Sequence, residues 1–374
     1  MTSDINKRLN QLRARRDGSD RVTMDESVRS DRLVKALYPS PELWEKRGSA
    51  SQLHTRYAIG AMQAVSDTYT RVSLDTADRV ASQLRDRLAT SGIDAEFRLQ
   101  GSVPLDVHIR RVSDVDLLTV ETSMLIYKEQ GATAQRGGYI PTTKTSVGVL
   151  NHLRTQIEAD LEAAFPAAAV DKTGAKAVKI SGGSLPRSVD VVPAHWIDSI
   201  EYQASGREVD RGVMIYNTKT GRTIENFPFL HIERIGLRCG FVGGGLRKAI
   251  RLCKNLKADA DRDISLPSFD IASTMYHADM NALRFGQYYD LAVLAEAQRI
   301  LDVLARDFGF AKTLLVPDGS RAIFDTKEKL NGLVNLSFEM DELLSHVYEE
   351  NALGGSARVK SLSEKRSAIK ILTV

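Results

Sequence analysis

The sequence predicts an α+β fold in which a first half mixes helices with a small sheet and a C-terminal half is α-helical. Three observations carry this reading. Before Pro228, short segments that alternate polar and apolar residues fall between longer ones with an apolar residue every three or four positions. After Pro228 only the second spacing remains. The length, 374 residues, leaves room for two domains at roughly 100–200 residues apiece. The expected boundaries are 1–56 for an N-terminal extension, 57–228 for the mixed core and 229–374 for the helical domain.

Taken in order, residues 1–56 open with the polar runs Asn6-Lys7-Arg8-Leu9 and Leu12-Arg13-Ala14-Arg15-Arg16, helical or partly flexible, with no function legible in them. Ile59, Met62, Val65, Ala77, Val80, Ala81, Leu84 and Leu88 predict one long amphipathic helix over 57–88, with Gly92 near its C-terminal cap. Residues 96–100 alternate as a half-buried strand does and run into Gly101-Ser102. A short helix is expected over 104–110, a second strand over 114–121, and a Gly- and Thr-rich loop over 128–146. Leu150, Leu153, Ile157, Leu161 and Phe165 mark a helix before Pro166. Strands follow at 177–180 and at 188–193, the latter ending at its proline, and then a hairpin turning on 217–221. Further helices are expected around 246–256, 291–304 and 325–349.

Composition removes several function classes. Lys and Arg number 51 and Asp and Glu 48, a formal net charge of +3. A protein that coats nucleic acid carries a sustained positive excess, so stable nucleic-acid binding is not expected. Hydrophobic and charged fractions of 43% and 26% are those of ordinary soluble domains and exclude wholesale disorder. No run of about 18 apolar residues exists and residues 1–16 hold no signal core, so a cytoplasmic protein without a membrane partner is expected. Cys239 and Cys253 make neither a disulfide framework nor a zinc knuckle, and the scattered histidines contain no His-Glu-x-x-His pattern. Gly243-Gly244-Gly245 lacks the Gly-Lys-Ser/Thr ending of a P-loop and reads as a plain loop or helix N-terminus.

The chemistry gathers on three carboxylates. Asp114 and Asp116 are two apart on one expected strand, so their side chains share a face and Val115 takes the other. Like charges that close repel unless a cation lies among them, and hard oxygen donors suit Mg²⁺ or Mn²⁺. A bare Asp-x-Asp is equally a solvated strand end. Its context adds weight: Gly101-Ser102 turns at the end of the preceding strand, where backbone N–H groups and a hydroxyl suit phosphate oxygens. Asp190 interrupts Val189, Val191 and Val192, a strand that otherwise reads as buried, and a lone buried charge is costly.

As a set, Gly101-Ser102, Asp114-Val115-Asp116 and Val189-Asp190-Val191-Val192-Pro193-Ala194 resemble the DNA polymerase β-type nucleotidyltransferase superfamily. Within it they are most similar to the bacterial cyclic-oligonucleotide synthases, relatives of cyclic GMP-AMP synthase and oligoadenylate synthase that act in anti-phage signalling. A second segment supports the narrower likeness: the basic helix with Arg247, Lys248, Arg251 and Lys254 opposite Leu246, Ile250 and Cys253, followed by Ser268-Phe269. Spacing alone reads that stripe as a solvated charged face. One position departs from the pattern, since the family often has a threonine near where this chain has Val107.

The resemblance implies a polymerase β-like core, a helical domain closing a nucleotide cleft, and synthesis of a cyclic di- or oligonucleotide second messenger with release of pyrophosphate. It implies two Mg²⁺ or Mn²⁺ ions on Asp114, Asp116 and Asp190, phosphate contacts from Gly101 and Ser102, triphosphate contacts from Lys254 and Ser268, and base stacking on Phe269. The implied partners are nucleoside triphosphates, ATP first and GTP, UTP or CTP as further candidates. A downstream effector would respond to the product, and a regulatory protein partner is a further candidate. Two alternatives stand beside this reading: a nucleotidyltransferase with another acceptor, such as RNA, a protein or a small molecule, and a non-catalytic nucleotide-binding scaffold.

Overall fold

Alternation of apolar residues on both sides of two adjacent strands builds the centre of the fold. The computed structural model describes residues 4–17, 42–110, 112–351 and 360–374. The chain forms two units, one of Ser66–Leu105 and Ser113–Arg234, the other of Met1–Val65, Asp106–Val112 and Ile235–Val374.

The first of these holds a seven-stranded sheet: β1 (Ala95–Gln100), β2 (Val115–Tyr127), β3 (Ala169–Asp171), β4 (Val178–Ser181), β5 (Val189–Asp198), β6 (Gly212–Asn217) and β7 (Arg222–Asn226). The order is β1-β2-β5-β4-β3, with β6 also on β5 and β7 beyond it. β2 and β5 are parallel; every other pair is antiparallel. Val115, Leu117, Val178, Ile180, Val189 and Val191 pack one face against Val80, Leu84 and Leu88 of the Asp67–Thr90 helix and Leu153, Ile157 and Leu161 of the Ser146–Ala164 helix. Leu118, Val120, Val192, Ala194, Trp196, Val213 and Ile215 make a second core on the other face.

Three expectations are corrected. The helix expected over 57–88 is two, Leu53–Met62 and Asp67–Thr90, parted where Gln63 is extended and the Ser66 hydroxyl accepts the Tyr69 N–H at 3.2 Å. Met62 and Val65 keep helical spacing across the break, which hid it. Gly92 does take the left-handed conformation, φ +74°, just past the Ser91 cap, and the N–H groups of Gly92 and Ile93 bond back to Ala89 and Leu88, closing the helix as a Schellman turn.

No helix forms over 104–110. Asp106 sits in the left-handed region at φ +54°, which breaks a right-handed helix there, and Val107, His108 and Ile109 are all buried. The strand expected to stop at Pro193 continues to Asp198. β4 pairs Val189–Val191 and β6 begins at Ala194, so Pro193 falls at the change of partner and its missing N–H interrupts neither antiparallel ladder.

The other unit is helical. The Ile5–Asp17 helix buries Leu9 and Leu12 to 1% exposure, and Arg8 and Arg15 ion-pair with Glu339 and Asp259. The Gly245–Asp259 helix is buried on most of its circumference, and the Asp290–Arg306 and Lys327–Asn351 helices pack with it. Cys239 and Cys253 are buried and unpaired. Among the described residues no helix is long and apolar enough to cross a membrane.

Candidate active site

The sheet register aligns a polar row across five strands. Asp116 of β2 pairs with Asp190 of β5; Gln100 of β1 stands opposite Asp116, and Lys179 of β4 stands opposite Asp190. Asp171 of β3 stands opposite Lys179. Residues in register share a face of a sheet, so these five side chains lie on one side. That side is the one Leu118, Val192 and Trp196 make apolar further along, so the row is a polar border at the starts of β2 and β5.

Asp114 immediately precedes β2. Its carboxylate accepts a hydrogen bond from the Ser188 hydroxyl at 2.7 Å and another from the Lys179 ammonium at 2.5 Å. Burial pushes the Asp190 carboxyl up from its ordinary value, and the negative charge of Asp114 pushes the same way, against the opposing pull of Lys179. Burial works against the Lys179 ammonium, but the Asp114 hydrogen bond and the charges of Asp114, Asp190 and Asp171 outweigh it and raise its pKa.

The Gly101 turn is fitted to this cluster. Gly101 has φ +75°, and a Cβ there would stand 2.1 Å from Asp116 Oδ2. Both facts demand glycine: the backbone conformation suits no branched carbon, and the carboxylate occupies the place a side chain would need. Ser102 follows, half-buried, and Val103 anchors the turn in the first core.

For a divalent cation the donor chemistry fits: three carboxylates contributed by neighbouring strands, with the Lys179 ammonium already in place as a stand-in positive charge. Among the described residues no three acidic, His or Cys side chains are drawn into a ready-made cage. Asp114 instead faces Ser188 and Lys179. Lys179, Ser188 and Gln100 were missed from the sequence. The signal for Lys179 was a lone ammonium between the buried Val178 and Ile180.

Lys254, Ser268 and Phe269 belong to the helical unit. Lys254 is 2% exposed and donates to the Val107 carbonyl at 2.8 Å. Arg251, 6% exposed, donates to the Asp106 carbonyl and to its carboxylate, and to the Met62 carbonyl at 3.3 Å. Lys248 pairs with Asp290. The basic stripe is thus not a solvated face; its charges tie down Asp106, Val107 and neighbouring helices. Ser268 is exposed at the start of the Ser268–Tyr276 helix. Phe269 is half-buried, with the Arg321 guanidinium 5.4 Å from its ring centroid.

No family model matches the chain. It is 44% identical over 356 residues, 92% of each chain, to the cyclic dinucleotide synthase CdnE of Yersinia aleksiciae. It is 33% identical over 303 residues, 75% of this chain and 84% of the relative, to a c-di-GMP synthase of Capnocytophaga granulosa. Among solved structures, the STING-associated CdnE c-di-GMP synthase of Capnocytophaga granulosa superposes with a TM-score of 0.68 at 27% identity, covering 92% of this chain and 99% of that one. The motif resemblance, the mixed sheet with flanking helices and these relatives agree: the chain belongs to the bacterial cyclic dinucleotide synthases, nucleotidyltransferase enzymes of the cyclic GMP-AMP synthase-like fold.

Proposed function

We propose that this enzyme joins two nucleoside triphosphates into a cyclic dinucleotide with release of two pyrophosphates, at a divalent-metal site held by Asp114, Asp116 and Asp190. One observation carries the siting: Asp116 and Asp190 stand in register on adjacent parallel strands while the Asp114 carboxylate reaches Lys179, the residue opposite Asp190. Asp114, Asp116 and Asp190 would hold two Mg²⁺ or Mn²⁺ ions, which would stabilise the charge that develops during nucleotidyl transfer. The chain itself supplies position: Gly101 brings its backbone against Asp116, and the Gly101–Ser102 N–H groups and the Ser102 hydroxyl hold phosphate oxygens. On the family likeness Ser268 and Lys254 are proposed for the donor triphosphate and Phe269 for its base; Lys254 would reach the phosphates only by leaving the Val107 carbonyl.

The Capnocytophaga granulosa relative is named for c-di-GMP, which makes GTP the first substrate to test, ahead of ATP, UTP and CTP. A setting in anti-phage signalling, with an effector that responds to the product, is proposed on the family likeness. The test is to incubate the protein with each triphosphate singly and in pairs, with Mg²⁺, with Mn²⁺ and with chelator. A phosphatase-resistant product with the mass of a cyclic dinucleotide, made only with metal, is expected. Extension of added RNA instead, or turnover unaffected by chelation, would overturn the proposal.

A further inference from the structure

We propose that Lys179 is a built-in counter-ion of the acidic cluster, a positioning residue that holds Asp114 in place when no divalent ion is bound and gives up that carboxylate when one binds. The inference rests on the metal site proposed above. Its basis is where the ammonium sits. Val178 and Ile180 are fully buried on the helix-covered face, which fixes the strand and sends Lys179 to the acidic face between them. There it stands opposite Asp190 on one side and Asp171 on the other, and its Nζ reaches Asp114 Oδ2 at 2.5 Å. The Ser188 hydroxyl holds the other Asp114 oxygen at 2.7 Å, so Asp114 is fixed through both oxygens.

Stability does not account for this arrangement. The Lys179 and Asp114 side chains are 41% and 30% exposed, and ion pairs of that exposure contribute little to folding. What the pair does is electrostatic and local. Carboxylates at 114, 116 and 190 repel one another, and an ammonium among them lets them share one face while the Asp114 oxygens stay aimed. A divalent ion taking Asp114 must displace that ammonium and then sit near its charge. Both effects weaken metal binding, so Lys179 sets the concentration at which the site fills.

The test uses the full chain and Mn²⁺ alone, with free Mn²⁺ followed by electron paramagnetic resonance and no nucleotide present. Lys179→Gln and Lys179→Met should each bind Mn²⁺ about fivefold more tightly than wild type, and Lys179→Arg, which keeps the charge, should stay near wild type. Equal or weaker binding by both neutral variants, with circular dichroism showing them folded, would overturn the role of Lys179. Asp116→Asn in the same titration separates the two claims. If it loses Mn²⁺ while the Lys179 variants match wild type, only the counter-ion role fails. If it binds as wild type does, the metal site itself fails.

Discussion

At the scale of single residues, the tightest constraint is at Gly101. A Cβ there would lie 2.1 Å from Asp116 Oδ2, and the φ of +75° disfavours any other residue. Gly101→Ala therefore has to move either the turn or the carboxylate. A displacement of about 1 Å in a reacting constellation costs on the order of 100-fold in rate, so product formation should fall by about that factor. The left-handed backbone costs an alanine roughly 1–2 kcal/mol, so the melting temperature should fall with it, by roughly 2–8 °C. Asp190 gives a prediction in pH. Its carboxyl titrates higher in the folded protein than in the unfolded chain, because burial and then Asp114 disfavour its charge. The folded state thus binds that proton more tightly. The group's contribution to stability is full below the ordinary carboxyl range and is lost as pH rises through the raised folded value. Asp190→Asn, measured in chelator, should melt about 1–3 °C above wild type at pH 7, and the difference should vanish in acid. Unchanged melting at both pH values would contradict the reading of Asp190 as a strained carboxylate.

Elements were legible where a core reads a simple period. Leu117, Val189 and Val191 face one side and Leu118 and Val192 the other, so β2 and β5 stood out as strands; the parallel pairing that brings Asp116 to Asp190 shows only in the register. Elements whose logic is non-local were not legible. The Ile5–Asp17 helix reads as a polar, basic stretch, yet Arg8 and Arg15 are buried because Glu339 and Asp259, far along the chain, receive them. Asp259 also accepts the Tyr57 hydroxyl at 2.7 Å, and burial together with the Asp259 charge pushes that phenol well above its ordinary value. Arg15→Met would leave Asp259, 2% exposed, with the Tyr57 hydroxyl but no cation. Removing one partner of a buried pair costs roughly 3–5 kcal/mol, a loss that urea unfolding of the variant would show. A loss below 1 kcal/mol would mean that the N-terminal helix contributes little to the unit. The misplaced helix over 104–110 has a related cause: the segment is held by Arg251 and Lys254, residues that no local window contains.

At the scale of the whole molecule, chain order and spatial grouping differ. Met1–Val65 and Asp106–Val112 cluster with Ile235–Val374, while the sheet and its helices come from Ser66–Leu105 and Ser113–Arg234. The three aspartates and the Gly101-Ser102 turn were readable because residue type, spacing and strand parity all pointed to one chemistry. Lys179 was not, since a single lysine in a short strand carries no pattern until the register sets it beside Asp190 and Asp171. The near-neutral charge of +3 likewise conceals basic side chains such as Arg251 and Lys254 that are folded inward rather than displayed. The central claim, that the acidic row is where a cyclic dinucleotide is made, is tested most directly by weighing the phosphatase-resistant product formed from GTP, alone and with ATP, by wild type and by Asp116→Asn in the same Mg²⁺ buffer. The account predicts a cyclic dinucleotide from wild type and none from the variant at an undiminished melting temperature. The same product at the wild-type rate from Asp116→Asn would contradict it.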